Sequence, residues 1–222
     1  MSKENKGAAT QNEVRSPKAF LFIKRVIDIL GALVGTILTF FVLLIVKIAF
    51  LVTGDKDKLI FKQTRIGKNG EPIKIHKIRS MVVNADEVLE TILKEDPEKA
   101  EEYRVYKKLK DDPRITKVGR FIRRYSIDEL PQFFDVLTGR LSLVGPRPYL
   151  FKEKDEMGKY YDTIIKVKPG ITGFWQVNGR SNTDFETRLK MDKYYCRTRT
   201  LGLDFGIVFK TVYKVFKKEG AE

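Results

Sequence analysis

The residues best suited to chemistry lie together at Ser126-Ile127-Asp128-Glu129-Leu130-Pro131, directly after the basic run Arg120-Phe121-Ile122-Arg123-Arg124. Two adjacent carboxylates beside guanidinium groups can hold a phosphorylated substrate and supply the group that attacks it. The same stretch also reads as plain helix punctuation. Ser126 and Glu129 have the S-x-x-E spacing of a capping box. Asp128 then falls in the first turn, where negative charge suits the helix dipole. A second candidate is Pro146-Arg147-Pro148, in which two prolines fix the backbone on either side of one guanidinium and aim it for paired hydrogen bonds to phosphate. Arg180, after Asn178-Gly179, offers the same from another tight turn. Asp55-Lys56-Asp57 matches the D-x-D pattern of metal-holding glycosyltransferases, but among lysines it reads as a solvated linker.

Other chemistries are excluded by absence. The chain has one His and one Cys, so a structural zinc site and a Ser/His or Cys/His nucleophile pair are ruled out. His76 reads as a strand residue and Cys196 as a small packing residue. Neither a G-x-G-x-x-G nor a G-x-x-x-x-G-K-[ST] loop occurs, which argues against dinucleotide and P-loop sites. A single cysteine also fits a reducing compartment. The formal net charge of +14 favours phosphates, anionic lipid headgroups or nucleic acid as partners.

The elements that must position these residues begin with a membrane signal. Ile29 to Val46 holds no charged residue over 18 positions, about the minimum for a bilayer-crossing helix. Both flanks are basic, with Lys18, Lys24 and Arg25 before it and Lys47, Lys56, Lys58 and Lys62 after it. Such symmetry gives no positive-inside bias and suits a segment that returns to the same face or lies partly in the interface. From Phe205 to Lys218, Phe205, Val208, Phe209, Val212, Val215 and Phe216 share one helical face, with lysines on the other. That is the pattern of a helix on an anionic membrane surface, or of an ordinary surface helix packed on a core. Between the two lie a hairpin around Gly67-Lys68-Asn69-Gly70 and a charged helix from Asp96 to about Lys110. A helix from Ser126 to near Gly139 and another from Asp184 to Cys196 follow. The expected fold is α/β and mainly helical. It comprises a disordered tail over 1–17, a membrane-embedded region over 18–54 and one cytoplasmic catalytic domain over 55–222.

Read in order, these pieces resemble the monotopic polyprenyl-phosphate phosphoglycosyl transferases, the bacterial sugar transferases that begin surface-glycan assembly. The resemblance runs from Lys24-Arg25-Val26-Ile27-Asp28 to Phe216. It takes in Phe61-Lys62-Gln63-x-Arg65-x-Gly67, Lys77-Ile78-Arg79-Ser80-Met81, the Asp128-Glu129 stretch, Val144 to Pro148, Lys168 to Gly173 and Asn178 to Arg180. It implies that Asp128 is a nucleophile toward the β-phosphate of a UDP-sugar, expelling UMP and carrying the phosphosugar until polyprenyl phosphate takes it. It also implies that Glu129 helps to bind Mg²⁺. Arg124, Arg147 with its flanking Pro146 and Pro148, Arg180, Lys77 and Arg79 position phosphates or uridine on the same reading. At a helix start beside Arg123 and Arg124, Asp128 is expected to stay ionised. The implied partners are a UDP-sugar (galactose first, then glucose), polyprenyl phosphate, membrane lipids and a second copy in a homodimer, with no nucleic acid. The implied location is the bacterial inner membrane, with the catalytic domain on the cytoplasmic face. One departure stands out: the family carries a proline midway through its membrane helix, breaking it into a re-entrant hairpin. Here Thr39-Phe40 holds that place, and no proline lies between Pro17 and Pro72. Thr36 and Thr39 are left to bend the helix by bonding back to carbonyls.

Two rival readings remain at this level. A metal-dependent glycosyltransferase would move the sugar alone and release UDP. A membrane-anchored scaffold or nucleic-acid binder would use the basic charge without needing the clustered acids.

Overall fold

The computed structural model describes residues 14, 16–179 and 183–217 of the chain. Arg180 and Lys218 lie outside the described residues, as does most of the 1–17 tail. The fold is mainly helical, with two small sheets. Helix α1 (Lys18–Val52) is followed by the antiparallel hairpin β1 (Ile60–Ile66) and β2 (Pro72–Ile78). Helices α2 (Ala85–Glu95), α3 (Pro97–Tyr106), α4 (Lys117–Arg124) and α5 (Gln132–Leu137) come next. Strand β3 (Ser142–Val144), short helices α6 (Lys154–Met157) and α7 (Tyr161–Ile164), and β4 (Gly170–Thr172) then lead to α8 (Phe174–Asn178), α9 (Phe185–Thr198) and α10 (Leu201–Lys217). β3 and β4 pair in parallel, with Ser142 opposite Gly170 and Val144 opposite Thr172.

The hairpin forms where its turn chemistry placed it: Asn69 and Gly70 take positive φ, at 60° and 84°. The charged helix α3 starts as expected, with Asp96 accepting from Lys99 N–H and Pro97 at the first position. It ends at Tyr106, short of Lys110, because Lys107 turns left-handed. Phe174–Asn178 forms the single-turn helix α8.

α1 is one unbroken helix of 35 residues, about 52 Å long at 1.5 Å per residue, and is long and apolar enough to cross a membrane. Phe22, Val34, Phe40, Ile45 and Val52 are exposed along it, so it is not the core helix of a soluble domain. It acts as a membrane anchor. Without the proline, the helix bends its hydrogen bonding only locally: Thr39 Oγ1 donates to Gly35 O at 2.7 Å, while the Thr36 hydroxyl has no partner.

The opposite stripe of α1 binds the rest of the chain from end to end. Lys24 pairs with Asp204 of α10 at 2.6 Å. Arg25 donates to the carbonyls of Val136 (2.7 Å) and Leu137 (2.9 Å), capping the C-terminus of α5. Asp28, buried, accepts from Ser142 Oγ and from Leu143 N–H at 2.9 Å. Further along, Val46 and Phe50 pack with Ile78 and Ile122. Lys24 and Arg25, read as flanking charges, are therefore docking groups whose partners lie more than a hundred residues away. Asp28→Ala would leave a buried hydroxyl and a buried N–H unpaired. We expect a loss of about 3 kcal/mol, less for Asp28→Asn, read as earlier thermal unfolding in detergent micelles.

α10 resolves the choice between its two readings. Phe205, Phe209, Val212 and Phe216 point to solvent. Its inward side carries Asp204, Ile207 and the half-buried Lys214, which reaches the Gln176 carbonyl, while exposed Lys210 bonds Asn178 Oδ1 at 2.9 Å. An apolar face left outward on both α1 and α10 is what an interfacial helix presents to lipid.

Candidate active site

The Asp128-Glu129 pair does not open a helix by a capping box. Ser126 sits in the left-handed region at φ 53°, and its hydroxyl caps nothing. Ile127 to Glu129 form one 3₁₀ turn, and α5 starts only at Gln132. The cause is Pro131. In a helix begun at Ser126 it would lie in the interior, with no N–H to donate and its ring against the carbonyl of Ile127. The chain therefore makes a short turn, passes Pro131 and starts again.

The turn is seated from two sides. Ile127 packs on the cluster of Val46, Phe50, Ile78 and Ile122. The Thr39 hydroxyl of α1 also lies 3.0 Å from the Leu130 carbonyl, so its one proton is shared between that carbonyl and Gly35 O. The middle of the membrane helix thus touches the residue that follows the two carboxylates. Strand β2 brings Lys77, whose Nζ lies 2.8 Å from Glu129 Oε1 and 3.7 Å from Asp128 Oδ2. β2 is itself fixed by buried Asp135, which accepts from His76 N–H at 2.8 Å and meets His76 Nδ1 at 2.7 Å. The lone histidine is a strand residue, as expected. Cys196 is a buried packing residue.

Burial raises the Asp128 pKa, opposed by Lys77, reinforced by the charge of Glu129 and opposed again by Arg123. The support expected from a helix start and from Arg124 is weaker than the sequence suggested, and Arg123 and Lys77 supply the cations that favour the charged form. A single 3₁₀ turn has little dipole, and the nearer guanidinium is that of half-buried Arg123, while Arg124 is exposed.

The other expected residues divide. The backbone of the Arg147 loop is fixed: the Arg147 N–H donates to Asp192 Oδ2 at 3.0 Å, and Gly145 and Pro146 are tied to β4 through Thr172 and Gly170. Its guanidinium lies 3.8 Å from Glu153. Arg79 is committed elsewhere, to Asp55 at 2.5 Å, to the Lys58 carbonyl and over the Phe50 ring. Asp55 is thus a partner of Arg79 rather than a solvated linker residue, and that contact lowers its pKa. Arg65, given no role by sequence reasoning, is buried between the two halves of the site. It donates to the Pro148 carbonyl at 3.0 Å, and its charge is felt by Glu129, Arg147 and Glu153. Its place in F-K-Q-x-R-x-G was the only signal.

Among the described residues, no three His, Cys, Asp or Glu side chains gather as a protein-only metal cage. Mg²⁺ does not need one: it commonly takes one or two carboxylates, keeps waters and binds substrate phosphates. The adjacent oxygens of Asp128 and Glu129, balanced at present by Lys77, are a donor set of that kind.

The bacterial sugar transferase model matches residues 19–218. The chain is 44% identical over 200 residues to a UDP-galactose-lipid carrier transferase of Erwinia amylovora, covering 90% of this chain and 42% of that protein. It is 43% identical over 203 residues to an undecaprenyl-phosphate galactose phosphotransferase of Salmonella typhimurium, again covering 90% and 42%. The chain therefore spans less than half the length of these two relatives. The exopolysaccharide production protein ExoY of Rhizobium meliloti is 37% identical over 201 residues, and there the match covers 89% of this chain and 87% of the relative. With its membrane helix, its paired carboxylates and its arginine loop in the expected order, the chain belongs to the bacterial sugar transferase family.

Proposed function

We propose that the protein transfers a phosphosugar from a UDP-sugar to undecaprenyl phosphate at the cytoplasmic face of the bacterial inner membrane, releasing UMP. The observation that carries this reading is the carboxylate pair held by Lys77 on a turn that hydrogen-bonds to the membrane helix through Thr39. A soluble diphosphate and a lipid phosphate can meet there.

The ionised Asp128 oxygen attacks the β-phosphorus. The bond from that phosphorus to the oxygen bridging it to the α-phosphate breaks, and UMP leaves with the electron pair. The chain then holds an acyl phosphate that carries the sugar. In the second step a phosphate oxygen of undecaprenyl phosphate attacks the same phosphorus, the acyl bond breaks, and the Asp128 carboxylate is restored. Glu129, with Asp128, would hold Mg²⁺, which supplies charge neutralisation for the diphosphate. Lys77 keeps Asp128 closer to its reactive form and neutralises Glu129. Galactose is the first choice of sugar, in keeping with the names of two relatives, and glucose the second.

The test is a panel of UDP-sugars with undecaprenyl phosphate and Mg²⁺, read by which nucleotide appears. We expect UMP, formed fastest with UDP-galactose. Release of UDP would instead support a glycosyltransferase moving the sugar alone.

A further inference from the structure

The start of α1 gathers cations well away from the reacting carboxylates. Arg25 Nη1 and Nη2 each spend one N–H on the carbonyls that end α5. Nε–H and one N–H on each terminal nitrogen stay uncommitted among the described residues. Lys168, in the loop before β4, brings a second cation to the same place. A Cβ on Gly139 would stand 3.7 Å from Arg25 Nη2 and 3.9 Å from Lys168 Nζ, so the bare glycine leaves a gap between the two. Lys168 is half-buried, and its amine makes no hydrogen bond or ion pair among the described residues. The hairpin turn adds Lys68, because Asn69 N–H donates to the Ile165 carbonyl at 2.6 Å and holds the turn beside residues 166–168. The acids nearby are already used. Asp28 accepts from Ser142 and Leu143, and Asp204 is held by Lys24 and by the Tyr195 hydroxyl at 2.7 Å. Burial first, then the charges of Arg25, Lys68 and Lys24, push the Lys168 amine below its ordinary range, with Asp28 opposing. A half-buried ammonium crowded by like charge is costly until an anion joins it.

The surroundings of the gap decide which anion fits. Leu21, Phe22 and Val26 of α1 and Phe205 of α10 are exposed and apolar, and the Lys24–Asp204 pair joins these two helix starts. A soluble phosphate could use only the cations, while a diacyl lipid uses both cations and apolar faces. The gap also lies about 21 Å along α1 from Thr39 and the carboxylate turn, at 1.5 Å per residue. A phosphate held at Lys168 therefore does not react at Asp128. We propose that Arg25, Lys168 and Lys68 form a headgroup site for an anionic phospholipid of the phosphatidylglycerol type, which seats the start of α1 on the domain. The lipid phosphate lies over Gly139 between Arg25 and Lys168, and Lys68 adds attraction at longer range. The acyl chains run along the outward faces of α1 and α10. This site is separate from the proposed transfer and stands whether or not the chain turns over a UDP-sugar.

The experiment is native mass spectrometry of the full chain in neutral detergent micelles, titrated with phosphatidylglycerol, phosphatidylcholine or undecaprenyl phosphate. Phosphatidylglycerol should bind at least about tenfold more tightly than phosphatidylcholine and should raise the unfolding temperature. Lys168→Gln should lose about fivefold to tenfold in phosphatidylglycerol affinity, and Lys68→Gln about fivefold or less, with phosphatidylcholine binding unchanged. Undecaprenyl phosphate should bind the same chain alongside phosphatidylglycerol. Equal affinity for the two phospholipids, or wild-type phosphatidylglycerol affinity in a folded Lys168→Gln chain, overturns the proposal. So does one-for-one displacement of phosphatidylglycerol by undecaprenyl phosphate, because the gap would then hold the acceptor. Displacement by inorganic phosphate at equal concentration overturns it too, since the apolar faces would then add nothing. Should Lys168→Gln not fold, hydrogen exchange on the wild type decides. Phosphatidylglycerol, and not phosphatidylcholine, should slow exchange over residues 137–141 and in the first turns of α1. Protection confined to other segments overturns the headgroup site.

Discussion

Asp128→Asn is expected to lower UMP release by about 10⁴-fold or more, the scale on which enzymes lose turnover when a nucleophile is removed. An amide oxygen has no charge to donate and cannot form the acyl phosphate, and the nearest other acid, Glu129, is occupied by Lys77. The fold should survive, and its stability supplies an independent check with a definite sign. Asp128 has a raised pKa in the folded chain, so its stabilising contribution is complete below the unfolded value and is lost as pH rises through the folded one. Ionising this partly buried carboxyl therefore costs the folded chain stability. Asp128→Asn should unfold at the same temperature or a higher one. Lost activity with unchanged or improved stability is the signature of a strained functional group, whereas a structural aspartate would lose both.

Lys77→Met is expected to cost about 10² to 10³-fold in kcat/KM, the range for removing one fixed charge-stabilising group from an active site. The side chain keeps its length, so β2 should hold its register with β1. Electrostatics are what change. Lys77 is the chief cation drawing the Asp128 pKa down, against burial and Glu129. Without it the attacking form becomes scarcer at any given pH. The activity of the wild type should rise with pH through the raised Asp128 pKa, and in Lys77→Met that limb should move to higher pH. A pH profile of kcat/KM for both proteins checks this. A uniform loss with the limb unmoved would make Lys77 a mere substrate contact.

Much of this architecture was readable from residues alone, and the misses share a cause. The hairpin was legible because Gly67-Lys68-Asn69-Gly70 demands a turn, and α9 because Asp184 marks its start. Both signals are local. The carboxylate pair was found for its chemistry and order, while its conformation was misread. The capping-box spacing is local too, but Pro131, two residues past Glu129, overrides it. The forces on Asp128 were not legible, because its burial and the placing of Lys77 are tertiary facts. Lys24 and Arg25 looked like membrane flanks because their partners, Asp204 and the end of α5, are distant in sequence. The periodicity of α10 was plain, yet which face turns inward depends on α8, which the sequence cannot place beside it.

The missing proline has a physical counterpart. Thr39 holds its place, and its one hydroxyl proton is shared between two carbonyls, Gly35 within the helix and Leu130 beside the carboxylates. The position where the resemblance leads one to expect a helix-breaking proline here fastens the helix to the turn that carries Asp128 and Glu129. Because α1 is bound to the domain from Lys24 to Phe50, it does not stand clear of it as an isolated spanning helix would. That suits the symmetric basic flanks.

The most direct test of the central claim is to mix purified protein with UDP-galactose and Mg²⁺ in the absence of undecaprenyl phosphate, then weigh the intact chain and count the nucleotide released. A burst of one UMP per chain should accompany a mass gain equal to one phosphosugar. Peptide mapping should place that gain on Asp128, and added undecaprenyl phosphate should remove it. UMP formed only when the lipid is present, with no mass gain on the chain, would contradict the aspartyl intermediate.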